Sequence, residues 1–288
     1  MSRTLKAKVT AIRSASPSGN LTPVGRNGYA KDELGRVFKF QTLEQIEAHK
    51  RRKQRDQDQR HFSFSHMHNM TEVTRNLSNK YCGYILLLQP HIEYKTGRLV
   101  NPGRDPKPLK ITDIARIWSV SRRTALVVVD ELQTRSIIFE TGGTYSINER
   151  YHFRDKAGTE VDALIKTFFT TLRRVKLTAA DLGFVYKLLP QVHYDTNVIC
   201  SDAFASTPED VRFLSEKQIA SIVDMSETKT RDALRRLRKA GVTGEWVRGD
   251  GDDRETLTVL NPYVFYRKAG EPDGTLRTLF AAQRFEAA

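Results

Sequence analysis

Residues 77–96 of this chain reappear one hundred positions later. Leu77, Gly83, Leu88, Pro90, Tyr94 and Thr96 match Leu177, Gly183, Leu188, Pro190, Tyr194 and Thr196. Tyr84, Ile85, Ile92 and Leu99 face the similar Phe184, Val185, Val192 and Ile199. At a shift of 105, Leu109, Ile114, Ala115, Ile117, Ser121 and Leu132 match Leu214, Ile219, Ala220, Ile222, Ser226 and Leu237; at 113, Asn148 and Arg154 match Asn261 and Arg267. The shift grows at two places, the loop at 101–108 against 201–213 and a later hairpin. Insertions confined to loops are what two copies of one fold tolerate. A length of 288 residues suits roughly two domains.

Within the second copy, residues 214–242 read LSEKQIASIVDMSETKTRDALRRLRKAGV. Ser215 with Gln218 makes a capping box for one helix. Ile219, Ala220 and Ile222 share its apolar face, Asp224-Met225 make a turn, and Ser226 caps a second helix. At about 100° per residue, the core side of that helix is Thr230, Leu234, Leu237 and Gly241. The opposite side carries Thr228, Lys229, Asp232, Arg235, Arg236 and Lys239, with Arg231 and Arg238 on the flanks. An apolar back and a basic front are what a helix in the major groove requires, since the front meets phosphates and guanine edges. A solvated basic helix on an ordinary helical domain is the plainer alternative.

Along the chain, residues 1–30 are rich in Ser, Gly, Asn, Pro and basic side chains and read as a flexible tail. Residues 34–40 suit one short strand. Thr42 and Gln45 begin a helix that runs into HKRRKQRDQDQRH, residues 49–61, a solvated connector or an arm along phosphates. From residue 62, Phe64, Met67, Met70, Val73 and Leu77 recur at helical spacing. An apolar helix follows, ended by Pro90, then an extended segment, two helices, and a hairpin turning at Gly142-Gly143. Each copy therefore runs helix, helix, short strand, helix, turn, helix, hairpin, the order of a winged helix-turn-helix. The expected fold class is α+β, mainly α: two tandem winged helix-turn-helix domains from an internal duplication, with a basic N-terminal arm. The expected divisions are a basic tail and polar helix at 1–61, domain 1 at 62–158, domain 2 at 159–270 and a tail at 271–288.

These features resemble the winged-helix replication proteins of the plasmid and phage RepL type. The likeness lies in an apolar helix ending near His91-Ile92-Glu93-Tyr94 or Val192-His193-Tyr194, the two helix pairs, and the wing end Asn261-Pro262-Tyr263-Val264-Phe265. The first copy has Asn148-Glu149-Arg150 at the corresponding place. The duplication is similar to that of two-winged-helix plasmid initiators. The resemblance spans 62–158 and 162–270 and implies double-stranded DNA as ligand, with replication or transcription machinery as partners.

Net charge is +13, which suits a polyanionic partner. Residues 1–60 hold 14 basic and 6 acidic side chains, 61–158 hold 14 and 9, and 159–288 hold 19 and 19. The best DNA-reading helix thus lies in the neutral third, but residues 226–239 carry six bases against two acids. The DNA-binding candidates are Arg122, Arg123 and Thr124 in copy one; Thr228, Lys229, Arg231, Arg235, Arg236 and Lys239 in copy two; Arg248 and Arg254 on the second wing; and Lys50, Arg51, Arg52 and Lys53 in the arm. The second helix of copy one turns Arg123, Thr124, Val127, Asp130, Glu131 and Thr134 outward, so only its first turn is basic. It reads a weaker half-site or makes a protein interface, and a homodimer through domain 1 is one form of the latter. The acids at 250–253 argue against pressing the second wing tip onto phosphate.

No catalytic residue, cofactor or metal site is expected, and the chain does not read as an enzyme. His66-Met67-His68 fits the His-hydrophobic-His pattern of rolling-circle relaxases, but a helical period would point the two rings about 200° apart. Neither a phosphate-cradling glycine loop nor a nucleophile elbow occurs. Cys82 and Cys200 sit in apolar contexts as reduced core thiols. With no run near ~18 apolar residues, no membrane partner is expected, and the chain reads as cytoplasmic, associated with nucleoid or plasmid. Three uses of the basic helix stay open: a plasmid or phage replication initiator on paired half-sites, a transcriptional regulator of a mobile element, and a protein-interaction module.

Overall fold

The structure, a computed structural model, describes residues 17–24, 29–39, 60–158, 161–207, 210–249 and 255–281. Residues 1–58 and 59–288 are separate compact units. In the first, β1 (Thr22–Pro23), β2 (Tyr29–Lys31) and β3 (Val37–Lys39) form an antiparallel meander. Asp32 holds its second turn. Its carboxylate accepts from the Leu34 and Arg36 amides at 3.1 and 2.8 Å and from Arg36 Nε at 2.7 Å. The expected flexible tail is therefore ordered from residue 29 and around Thr22. Local side-chain-to-backbone bonding, which composition does not register, supplies the reason. The expected helix starting at Thr42 and the arm at 49–59 lie outside the described residues.

The second unit begins with β4 (Phe62–His66), then α1 (Met67–Asn76) and α2 (Asn79–Leu88). Short strands β5 (Val100–Asn101) and β6 (Lys107–Pro108) precede α3 (Ile111–Ile117) and α4 (Arg122–Thr134). The hairpin β7 (Ile138–Thr141) and β8 (Thr144–Ile147) follows, then β9 (His152–Phe153). A similar order, with an isolated Cys200–Phe213 bridge in place of β5 and β6, then returns as β10 (Leu164–Phe168), α5 (Phe169–Arg174), α6 (Ala179–Leu188), α7 (Glu216–Val223) and α8 (Glu227–Lys239). The hairpin β11 (Thr243–Arg248) and β12 (Glu255–Leu260), β13 (Phe265–Tyr266) and a last helix α9 (Gly274–Leu279) complete it. The fold is mixed α/β with several small sheets, where the sequence suggests mainly α.

Matched positions make matched bonds. Leu99 N donates to Tyr145 O and Ile199 N to Thr258 O; Ile147 N donates to Gly97 O and Leu260 N to Asn197 O. Asn148 Nδ2 donates to Ser136 O and Asn261 Nδ2 to Gly241 O, both at 2.7 Å, tying each hairpin to the end of the helix before it. Arg154 and Arg267 donate to the Ile92 and Val192 carbonyls. The first hairpin turns at Gly142 and Gly143, both at positive φ, as a two-residue primed turn requires.

The halves do not stand apart as domains. A four-stranded sheet in the order β13-β10-β4-β9 joins them through an antiparallel β4–β10 pair. Phe64 pairs there with Lys166, its own counterpart at the local shift of 102. Helices α2 and α6 cross with glycine against backbone. A Cβ at Gly83 would overlap the Ala179 carbonyl, and one at Gly183 would overlap the Asn79 carbonyl. These contacts also exchange under the repeat, so a local pseudo-twofold axis runs through both. One hydrophobic cluster holds buried side chains of both halves, including Ile85, Leu132, Val185 and Leu237. The boundary expected at 158/159 thus crosses a shared core.

Two further expectations are corrected. Residues 62–66 are a strand, not helix, and helix begins only at Met67. The alternation in Phe62-Ser63-Phe64-Ser65-His66 turns Ser63 and Ser65 toward a buried polar cluster. The C-terminal stretch is no tail as far as residue 281. Asp273 caps α9, and Leu276 and Phe280 are fully buried with Phe168, Val259 and Tyr266.

The polar cluster sits on one side of the axis. Ser63 Oγ donates to Gln89 Oε1 at 2.9 Å. Gln89 Nε2 donates to Ser65 Oγ and to His152 Nδ1, at 3.3 and 3.2 Å, and Ser65 Oγ lies 2.9 Å from the same ring nitrogen. With Nδ1 accepting, Nε2–H donates to Tyr186 Oη at 2.7 Å. Burial pushes the His152 imidazole down to about 3, so it is neutral at pH 7.

The glycine crossing and the buried histidine can each be tested by stability. Alanine is favoured over glycine in a helix by about 1 kcal/mol, yet Gly183→Ala is expected to destabilise residues 60–281 by at least ~2 kcal/mol because overpacking here meets backbone. Denaturant titration checks the sign, and a stabilised variant contradicts the close crossing. For His152, the unfolded ring takes a proton near its ordinary value while the folded ring does not. Stability should therefore fall as pH drops from about 6.5 toward 3, by up to ~1.4 kcal/mol per pH unit from this group. In urea midpoints measured between pH 7 and 4, His152→Gln should flatten that slope; an unchanged slope rules the histidine out as its source.

Candidate nucleic-acid interface

The second helix pair is built as its sequence spacing implies. Ser215 accepts from Gln218 N at 3.4 Å, and Gln218 Oε1 accepts from Ser215 N at 2.9 Å. Asp224 ends α7 in the left-handed region at φ 55°, and Ser226 caps α8 by accepting from Lys229 N. Thr230, Ala233, Leu234 and Leu237 bury the back of α8 against Ile219, Ala220 and Val223 of α7 and the shared core. Thr228, Lys229, Arg231, Arg235, Arg236 and Lys239 are all exposed on its front. Gly241, expected on the core side of this helix, instead follows it at φ 72°.

The cations on that front differ in how they are held. Arg231 pairs with Glu216 of α7 at 3.0 Å and Arg235 with Asp232 at 3.1 Å, both exposed pairs of small worth. Arg238 pairs with Glu245 on β11. Arg236 is different. Its Nε and Nη2 reach Asp181 Oδ1 at 3.1 and 2.7 Å, and Asp181 is nearly buried at the start of α6. A forked pair to a buried carboxylate fixes the guanidinium against the body of the protein. Arg236 thus anchors α8 to the crossing helices, with less freedom to reach a base than an outward face alone suggests. Among the described residues no ion pair holds Lys229 or Lys239.

The first helix pair is similar in form. Asp113 accepts from Lys110 N, Ser119 turns at φ 53°, and Ser121 caps α4 by accepting from Thr124 N at 3.1 Å. Trp118 Nε1 donates to Tyr84 O at 2.9 Å, pinning the turn to α2. Arg122, Arg123 and Thr124 are exposed. So are Leu126 at 45% and Val127 at 58%, which gives this helix an apolar front. Leu126 is not among the residues that the helical plot turns outward. It holds the flank position that Arg231 holds in α8, so the repeat itself carried the signal.

Position by position the two fronts are unlike. Thr124, Leu126, Asp130, Glu131 and Thr134 stand where α8 has Lys229, Arg231, Arg235, Arg236 and Lys239; Arg122 and Arg123 stand where α8 has Glu227 and Thr228. On the second hairpin Arg248 is exposed, with its guanidinium 5.8 Å from the Phe213 ring centroid. Arg254, the acids at 250–253, Lys50, Arg51, Arg52 and Lys53 lie outside the described residues.

His66 and His68 are not brought together. His66 lies 5.0 Å from Phe153 between ring centroids, while His68 stacks on Phe204 at 4.5 Å. Cys82 and Cys200 are buried and free, and burial pushes both thiols up to about 12. No helix among the described residues is long and apolar enough to cross a membrane.

No family model and no curated protein matches the sequence. Among solved structures the chain is similar to the DIP2311 protein from Corynebacterium diphtheriae, at 11% identity and a TM-score of 0.17. The match covers 53% of this chain and 23% of that one, so the chain spans less than a quarter of that protein's length.

The Arg236–Asp181 pair gives a direct test of which cations build the helix seat. Arg236→Ala should lower stability by roughly 1.5–3 kcal/mol, since it leaves a nearly buried carboxylate without its charged partner. Lys229→Ala should change stability by less than about 0.5 kcal/mol. Equal, small effects in thermal unfolding would show that Asp181 does not need Arg236.

Proposed function

We propose that this protein binds double-stranded DNA in a sequence-specific way through two winged helix-turn-helix units derived from one duplication. The observation that carries the reading is the front of α8: exposed Lys229, Arg231, Arg235, Arg236 and Lys239 on a helix whose back is closed into a core. A helix mounted in this way has the shape and charge that the major groove accepts. The matched hydrogen bonds at Asn148 and Asn261, and at Leu99 and Ile199, support one ancestral unit used twice. Each hairpin then serves as the wing of its unit.

The use assigned to that binding is initiation of plasmid or phage replication on paired half-sites, supported by the likeness to RepL-type proteins in the wing end Asn261–Phe265 and the two helix pairs. Regulation of a promoter on a mobile element would use the same surface, and the location of the bound site separates the two. One observation favours a second reading, partner-protein binding by the first copy: Leu126 and Val127 are exposed side by side on α4.

Arg235→Ala should weaken binding to the preferred duplex by about 1–3 kcal/mol if Arg235 meets a guanine edge, while Lys229→Ala should weaken all duplexes alike and lower the salt slope by about 1. Fluorescence anisotropy between about 50 and 200 mM salt reads both. Unchanged affinity in both variants removes α8 from the groove and leaves the partner-protein reading.

A further inference from the structure

We infer that the last turns of α4 dock a partner protein, which they hold through a basic, amphipathic helix of that partner. This rests on the partner-protein reading above and adds the partner's chemistry; α8 and the first turn of α4 are left to DNA. The back of α4 is fully engaged, with Ala125, Val128, Val129 and Leu132 buried. Its front is not. Leu126 and Val127 are exposed, and one turn further on Asp130 is exposed and Glu131 part-exposed. The counterparts of these four on α8 are Arg231, Asp232, Arg235 and Arg236.

Neither the helix nor DNA accounts for the acids. Acidic groups near a helix C-terminus work against its dipole, and basic groups there work with it. α4 has no base in its last turn, whereas α8 has Arg236, Arg238 and Lys239. Arg135, just past the end of α4, offsets Glu131 at 2.6 Å. Among the described residues no ion pair offsets Asp130. The same acids repel phosphate, which keeps this end of the helix out of a groove, while Arg122 and Arg123 at the other end can still meet the DNA backbone.

The spacing gives the patch its form. Leu126 and Asp130 stand four residues apart, and so do Val127 and Glu131. Such pairs lie one above the other on a helix, so an apolar pair is followed by an acidic pair one turn away. The complement is a helix that carries an apolar pair one turn from two Lys or Arg side chains and lies along α4. Burial of the apolar pair supplies attraction, and the charges set the direction in which the partner helix lies.

The test uses the full-length chain without DNA and two labelled synthetic helical peptides. In both, a pair of leucines is followed one turn later by a charged pair, lysines in one and glutamates in the other. On a chain of net charge +13, unspecific attraction favours the glutamate peptide. Anisotropy should instead show the lysine peptide binding about tenfold more tightly, since two exposed attractions replace two repulsions. Asp130→Lys combined with Glu131→Lys should reverse that preference, a gain that a misfolded variant cannot give. Val127→Ser should weaken both peptides. Binding of neither peptide, equal binding of both, or a preference that survives the charge reversal overturns the inference. So does a wild-type dimer in sedimentation that Val127→Glu makes monomeric, because the occupant is then a second copy. Loss of duplex affinity in Val127→Ser overturns it too, by placing the apolar pair on bases. Unchanged duplex affinity in Arg235→Ala and Lys229→Ala counts against the DNA reading alone and leaves the peptide result to stand by itself.

Discussion

The close crossing of α2 and α6 is the contact on which the rest of this fold depends. Gly83 and Gly183 let one backbone lie against the other, where any side chain would overlap a carbonyl oxygen. That approach brings two copies of one element order into a single core and sets β4 beside β10, so the four-stranded sheet can form. Both helix pairs hang from this centre. The two helix pairs are bonded to the crossing helices by Trp118 and Arg236, not to a linker. If both helix pairs bind DNA as proposed, holding them at a fixed angle raises effective concentration only on DNA that matches the angle.

A duplication of the kind proposed leaves each half free to diverge once the shared core is secure. The buried cluster of Ser63, Ser65, Gln89, His152 and Tyr186 is such a difference inside the protein. The second half has Leu189 and Phe265 at the places of Gln89 and His152. A satisfied polar cluster on one side of a pseudo-axis specifies which half packs where, since exchanging the halves would leave its groups unpaired. The fronts of α4 and α8 differ in the same way outside. Every position at which α8 carries an exposed cation is neutral or acidic in α4.

Much of this was legible in the residues. Ser121, Ser215 with Gln218, and Ser226 cap helices as local rules require, and Gly142-Gly143 makes the hairpin turn. The repeat is visible as matched residues with gaps in loops. Three things were harder to read. The FSFSH strand alternates with period two, but Phe64 also falls in helical register with Met67, and the pairing with β10 that decides between them is long-range. The buried serines look like solvent-facing residues until Gln89 and His152 are placed beside them. Arg236 reads as one more outward cation because its partner Asp181 lies 55 residues away. In each case a tertiary contact overrode a local pattern.

The most direct test of DNA binding by this fold is hydroxyl-radical footprinting of the full chain on a duplex selected from a randomised pool, at low and at physiological salt. Binding as proposed gives two protected patches on one face of the duplex, about one helical turn apart, that fade steeply as salt rises because several phosphate contacts release counterions. No protected patch at low salt would contradict it, and would leave the basic front of α8 as a solvated surface.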